Sequence, residues 1–164
     1  MASNVLQNYE QLSYGPPGGS MHRAVARQII SDGVATRTLT VKESGAICCL
    51  DSAAGVVYTL PTPVAGLTFS FFTTVSRTSN AHKVITNLAT EFLLGAVSLV
   101  NNAATTAEAF GADGTTIRAL SSNGTTTGGI IGDFYTVTAI STTQWAIEGQ
   151  LINSGTAATP FATS

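Results

Sequence analysis

The sequence predicts an all-β protein: an antiparallel sandwich or small barrel of jelly-roll type, preceded by an extended N-terminal arm. Three observations predict it. Polar and apolar residues alternate with a period of two through much of the chain, the mark of half-buried strands. Turn signals rich in glycine, proline, serine and aspartate recur roughly every 8–12 residues. No segment carries an apolar period of about 3.6 residues flanked by helix caps.

The elements follow in order. Residues 1–34 form the arm, because Gly15, Pro16, Pro17, Gly18 and Gly19 disfavour both helix and ladder. Residues 35–152 form the β domain and residues 153–164 a small-residue tail lying on the surface. Ala35–Val41 alternates as a half-buried strand and Lys42-Glu43-Ser44-Gly45 turns it. Ala46–Leu50 and Val56–Leu60 are short strands around an Asp51–Gly55 turn, and Pro61 and Pro63 end the second of them. Leu67–Val75 and Lys83–Thr86 are the next two strands. Phe92–Val100 suits strand or short helix by length, and its neighbours favour strand. Ala103–Ala112 is a small, polar stretch anchored by Phe110, and Thr115–Leu120 is a strand. Asp133–Ile140 and Gln144–Leu151 are the arms of a hairpin turned by Ser141-Thr142-Thr143. The sum is roughly eight or nine strands, the number of a sandwich or barrel.

Composition excludes several classes of function. The chain has 164 residues, enough to bury a core without disulfides or a metal. Only 10% of its residues are charged and its formal net charge is -2, against about 25% charged in an average soluble protein. A nucleic-acid binder needs clustered Lys and Arg to displace counterions from phosphates, so nucleic acid is not an expected partner. Mean hydropathy is +0.28, yet no apolar run nears the ~20 residues of a membrane span, so no membrane is expected. The surface is instead rich in hydroxyl and small side chains, which suits extensive cover by partner subunits. The N-terminus has neither a basic nor an apolar leader region, and synthesis in a host cytoplasm is expected. Cys48 and Cys49 are neighbours on a strand, point to opposite faces, and are expected as free thiols serving as small hydrophobes.

No enzyme signature is present: the chain lacks G-x-S-x-G, H-E-x-x-H and P-loop strings. No catalytic residue, metal ligand, cofactor or small-molecule substrate is expected. His22 and His82 have no acid close in sequence to orient them, and the acids are dispersed. Asp51, Asp113 and Asp133 lie beside turn residues, where Asp binds nearby backbone N–H groups. Two groups remain as interaction candidates. Tyr9, Leu12, Tyr14, Pro16, Pro17, Met21, Arg23 and Arg27 give the arm aromatic, apolar and cationic handles, the side-chain types that anchor interfaces. Tyr135 and Trp145 could form an aromatic face for a receptor glycan, although cross-strand packing in the core is the more ordinary use of such rings.

The run Thr40-Val41-Lys42-Glu43-Ser44-Gly45 through Asp51-Ser52-Ala53-Ala54-Gly55 to Leu60-Pro61-Thr62-Pro63-Val64-Ala65-Gly66 resembles small β-structured virion proteins of tailed bacteriophages. These are the capsid decoration (cement) proteins and some fibre or spike head domains. Gly132-Asp133-Phe134-Tyr135 and Gln144-Trp145-Ala146-Ile147-Glu148-Gly149 resemble their closing hairpin. The likeness covers about residues 38–150 and lies in turns and strands. It implies a homotrimer on the capsid exterior that bridges capsomers, with the major capsid protein as partner. The alternative it implies is a tail fibre or tailspike component that binds a host-surface glycan or receptor.

Overall fold

The computed structural model describes residues 26–164. Twelve strands form two sheets, and among the described residues the only helical element is a 3-10 turn at Val41–Glu43. The first six strands are β1 (Ile29–Ile30), β2 (Thr36–Thr38), β3 (Ile47–Leu50), β4 (Val57–Thr59), β5 (Thr68–Thr73) and β6 (His82–Ile85). They alternate between the sheets. β1, β3 and β5 pair in parallel in one sheet, and β2, β4 and β6 pair in parallel in the other. Each circuit of the chain therefore adds one strand to each layer, the path of a short two-sheeted β-helix.

The remaining strands are β7 (Phe92–Asn101), β8 (Ala107–Asp113), β9 (Ala119–Ser122), β10 (Phe134–Ala139), β11 (Gln144–Asn153) and β12 (Phe161–Ala162). They extend both layers to a seven-stranded sheet, β1-β3-β5-β10-β11-β7-β8, and a five-stranded sheet, β12-β9-β6-β4-β2. β10 and β11 form the expected hairpin, with Ala139 opposite Trp145. β11 then runs parallel to β7 over ten residue pairs. The all-β sandwich is the expected architecture, and its sheets are mixed. Alternation of residues marks a strand and its faces but carries no information on the direction of its neighbour.

Alternation aims one side of each strand inward. Phe69 and Phe71 of β5, Tyr135 and Val137 of β10, Trp145 and Ile147 of β11, and Leu93, Val97 and Leu99 of β7 are buried from the large sheet. Tyr58, Val84 and Leu120 are buried on the small sheet and belong to the same core. Each such side chain stabilises the fold by about 1.5–3 kcal/mol relative to its exposed state. The Tyr58 hydroxyl donates to the Cys49 carbonyl at 3.1 Å, linking the layers. Gly95 sits where β7 and β11 run side by side, at φ 136, and a Cβ there would collide with the Ile147 carbonyl oxygen.

Four boundaries differ from the sequence expectation. Ile29–Ile30, within the expected arm, already pairs with Ile47–Cys48. Ala107–Asp113 is a full strand, because β7 supplies a ladder that Ala and Gly do not themselves advertise. Thr115–Ile117 is not strand: the Asp113 carboxylate accepts from the Thr115, Thr116 and Ile117 N–H groups and holds them in a turn. The tail adds a strand, with Phe161 paired to Leu120 and buried.

Candidate functional site

The seven-stranded sheet turns its second side outward. By alternation this side carries Ile29, Ile47 and Cys49, then Thr68, Ser70 and Phe72. β10 adds Phe134, Thr136 and Thr138; β11 adds Ala146, Glu148, Gln150 and Ile152; β7 adds Leu94, Ala96, Ser98 and Val100. The registers place these in rows across the sheet. One row runs Ser70–Thr136–Glu148–Ala96, and the next runs Cys49–Phe72–Phe134–Gln150–Ser98. Two carboxylates stand on the face: Glu148 in its middle and Asp113 at the end of β8.

The apolar part of this face is open. Phe134 is 44% exposed, Phe72 is 38% exposed, and their rings pair edge-tilted with centroids 6.5 Å apart. Leu94 and Ile29 are exposed too, and Ile131 extends the apolar rim. Elsewhere on the face the hydroxyls satisfy one another across strands. Thr68 and Thr138 hydroxyls lie 3.1 Å apart, as do those of Ser70 and Thr136. Such pairing holds the side chains flat and leaves few groups demanding water. The paired Phe72 and Phe134 rings are the exposed aromatic feature of this face and make it the candidate interaction surface.

Arg27 lies at the edge of this face. Its Nε donates to the Gly45 carbonyl at 2.6 Å, and its Nη2 to the Ala46 carbonyl and to Ser70 Oγ at 2.8 Å. The side chain thus crosses β3 and ends on β5. Of the arm residues expected to dock, Arg27 alone lies in the described part, and it is tied to its own sheet. Tyr9, Leu12, Tyr14, Pro16, Pro17, Met21 and Arg23 lie outside the described residues.

Tyr135 and Trp145 do not form a receptor face. Tyr135 is 1% exposed and stacks on Phe71 at 5.2 Å, and Trp145 is fully buried against Phe69 at 6.0 Å. Both sit on the inward side of the hairpin, while their neighbours Phe134 and Gln144 sit on the other. The aromatic pair that is exposed is Phe72 with Phe134, which the sequence reading left unmarked.

Several titratable groups are tied into the fold. Asp133 is buried and accepts from Gly129 N at 2.5 Å and Ile152 N at 2.7 Å, and burial raises its pKa to about 6. Asp51 accepts from the Ser31 hydroxyl and the Gly33 N–H. Buried His82 accepts from Val56 N through Nδ1 and meets the Val75 carbonyl through Nε2, and burial lowers its pKa. Glu43 is ion-paired to Arg37 at 2.5 Å and also bonds Thr40. Cys48 and Cys49 are free and buried, and burial pushes the Cys48 thiol up to about 12, far from nucleophilic use. Among the described residues, no three His, Cys, Asp or Glu side chains gather as metal ligands would. A polar cavity of about 210 Å³ at one end of the sandwich is lined by Asn101, Thr106, Glu108 and Asn153.

Comparison of the chain with protein-family models, with curated proteins and with solved structures found no match.

Proposed function

We propose that the protein is a structural component of a bacteriophage virion, a homotrimer that decorates and stabilises the capsid exterior by bridging capsomers. The observation that carries the reading is the outer face of the large sheet: broad, with few charges, ordered by its own hydroxyl pairs and carrying exposed Phe72 and Phe134 near the ends of their strands. A permanent assembly needs area and shape rather than a titrating group, and obligate interfaces bury 2,000 Å² or more in total. The low charge of the chain and its resemblance to decoration proteins in the Thr40–Gly66 run support the same reading. The major capsid protein and further copies of the chain are the partners it implies.

The test is the copy number of the chain in purified particles of the source phage, measured by quantitative mass spectrometry. Stoichiometry comparable with the major capsid protein is the expected result. A few copies per particle would move the chain to a tail fibre or tailspike, where the Ser121–Gly129 loop becomes the surface to examine. Absence from particles overturns the virion reading.

A further inference from the structure

We propose that the polar cavity at the end of the sandwich binds a calcium ion. The strand registers build it. Asn101 and Asn153 are opposite one another in the last pair of the parallel β7–β11 ladder. Their side chains therefore leave neighbouring strands, about 4.8 Å apart, on one side of the sheet. That side is the inward one, since Leu99 and Leu151, two residues earlier, are buried. Thr106 is joined to Asn101 through its carbonyl, which accepts the Asn101 N–H at 3.0 Å. Glu108 of the edge strand β8 stands opposite Leu99 and shares the inward side. At this corner the inward side changes from leucine to amide, hydroxyl and carboxylate. These side chains line the cavity of about 210 Å³ together with Gly155 and Thr156.

The cavity offers oxygen acceptors. Both amide nitrogens are spent on one carbonyl: Asn101 Nδ2 donates to the Gly155 carbonyl at 3.0 Å and Asn153 Nδ2 at 2.6 Å. That fixes the orientation of both amides. Asn101 Oδ1 accepts the Ala103 N–H at 2.8 Å and keeps a second lone pair. Asn153 is 1% exposed, and among the described residues its Oδ1 has no hydrogen-bond partner. A buried acceptor in that state is costly until something satisfies it. Glu108 carries the one formal charge of the lining, and among the described residues no cationic side chain pairs with it. Calcium takes about six to eight oxygens, drawn from carboxylates, amides, carbonyls and water, so one carboxylate among neutral oxygens suffices for weak binding. Magnesium demands a tighter octahedral shell and gives up water reluctantly, so these oxygens suit the larger ion. A single carboxylate sets the Kd at about 1 mM, the weak end of calcium sites. Bound calcium ties β7, β8 and β11 to the 154–157 segment. The proposal holds or fails whatever the copy number of the chain in particles.

Thermal melting of the purified full-length protein in calcium, magnesium and sodium chloride at matched ionic strength tests it. At about 10 mM, ten times the Kd, calcium is expected to raise the melting temperature by about 3–5 °C. Magnesium is expected to raise it by less than about 1 °C. E108Q changes an exposed side chain without changing its shape, so the variant is expected to melt as the wild type does in the absence of calcium. Its calcium affinity, measured by isothermal titration, is expected to fall at least about tenfold. Equal shifts in calcium and magnesium, or wild-type calcium affinity in E108Q, overturns the proposal. So does a calcium shift no larger than that in sodium, which would leave Glu108 only as an inward charge that guards the edge of β8 against pairing.

Discussion

The carboxylate of Asp133 accepts the backbone N–H of Ile152 at 2.7 Å, and through its other oxygen that of Gly129 at 2.5 Å. One buried side chain thereby ties the 128–132 loop to the end of β11. Burial costs the ion more than these bonds return, so its pKa rises from 3.8 to about 6. An acid with a raised folded-state pKa contributes stability that is fully present below about pH 4. That contribution is lost as pH rises through about 6. The loss amounts to about 3 kcal/mol at neutral pH. Asp133→Asn keeps one acceptor and sets an amide donor against the second N–H, a change costing about 1–3 kcal/mol. Urea denaturation at pH 4, 5, 6 and 7 is expected to show a lower midpoint for the variant at pH 4 and a gap that closes toward pH 7. It should also show a shallower fall in stability between pH 4 and 6 than in the wild type. An unchanged slope would remove Asp133 as the source.

His82 works in the opposite sense. It is buried and bridges the Val56 N–H at 3.2 Å and the Val75 carbonyl at 3.1 Å, which requires the neutral ring with its proton on Nε2. Its folded-state pKa is lowered, so its contribution is complete above about pH 6.5. It is lost as pH falls through the depressed value. His82→Leu leaves the Val56 N–H without that acceptor and is expected to cost about 1–3 kcal/mol at pH 7. The cost should shrink at pH 5, where the wild-type ring itself is under pressure to charge. Equal destabilisation at both pH values would contradict the assigned tautomer.

These two residues show what sequence could and could not supply. Asp133 sits beside turn glycines, and its use as a backbone acceptor was legible there; that its second oxygen reaches Ile152 depends on the loop folding back on β11. Strands such as Thr68–Thr73 and Phe134–Ala139 were legible from alternation and bulk. Which side of them faces inward was not. Phe134 and Tyr135 are adjacent aromatics on opposite faces, and only the position of the second sheet decides that Tyr135 is buried and Phe134 open. The parallel pairing of β1, β3 and β5 was hidden for a similar reason, since a strand's partner lies a full circuit away in the chain. Ala107–Asp113 carries no large β-branched residue, and β7 rather than its own composition makes it a strand.

Among the described residues, the buried hydroxyl of Tyr135 has no hydrogen-bond partner. Its desolvation is therefore uncompensated, and the ring's stacking on Phe71 is what holds it. Tyr135→Phe removes the oxygen and keeps the ring. The expected outcome is a melting temperature equal to or above that of the wild type, because deleting an unpaired buried polar group is neutral or stabilising. A loss of more than about 1 kcal/mol would mean that the hydroxyl is hydrogen-bonded in solution.

Gly95 and Gly45 make a matched pair. Both have positive φ, 136° and 90°, but only Gly95 has a backbone in the way: its Cβ would strike the Ile147 carbonyl oxygen, whereas nothing lies within 4 Å of that position at Gly45. Gly45→Ala carries the conformational cost alone, about 1–2 kcal/mol. Gly95→Ala must also push β7 away from β11 and is expected to cost more than about 4 kcal/mol or to prevent folding. Guanidinium titration of the two variants checks the ordering, and a Gly95→Ala protein as stable as Gly45→Ala would show that the parallel ladder does not close as described.

The exposed pair Phe72 and Phe134 separates surface function from fold stability. Each ring is over a third exposed and rests on the outer face, away from the core that Phe71 and Tyr135 fill. Replacing both with glutamate adds two charges to a face whose central charge is already the carboxylate of Glu148. Monomer stability should change by less than about 1 kcal/mol, the ordinary range for surface sites. Packing against another apolar surface should fail, because each buried, unpaired charge costs several kcal/mol. In a phage carrying the F72E/F134E chain, the particle-associated copies are expected to fall at least about tenfold, while the soluble chain melts as the wild type does. Normal incorporation of the double variant would show that assembly uses another surface.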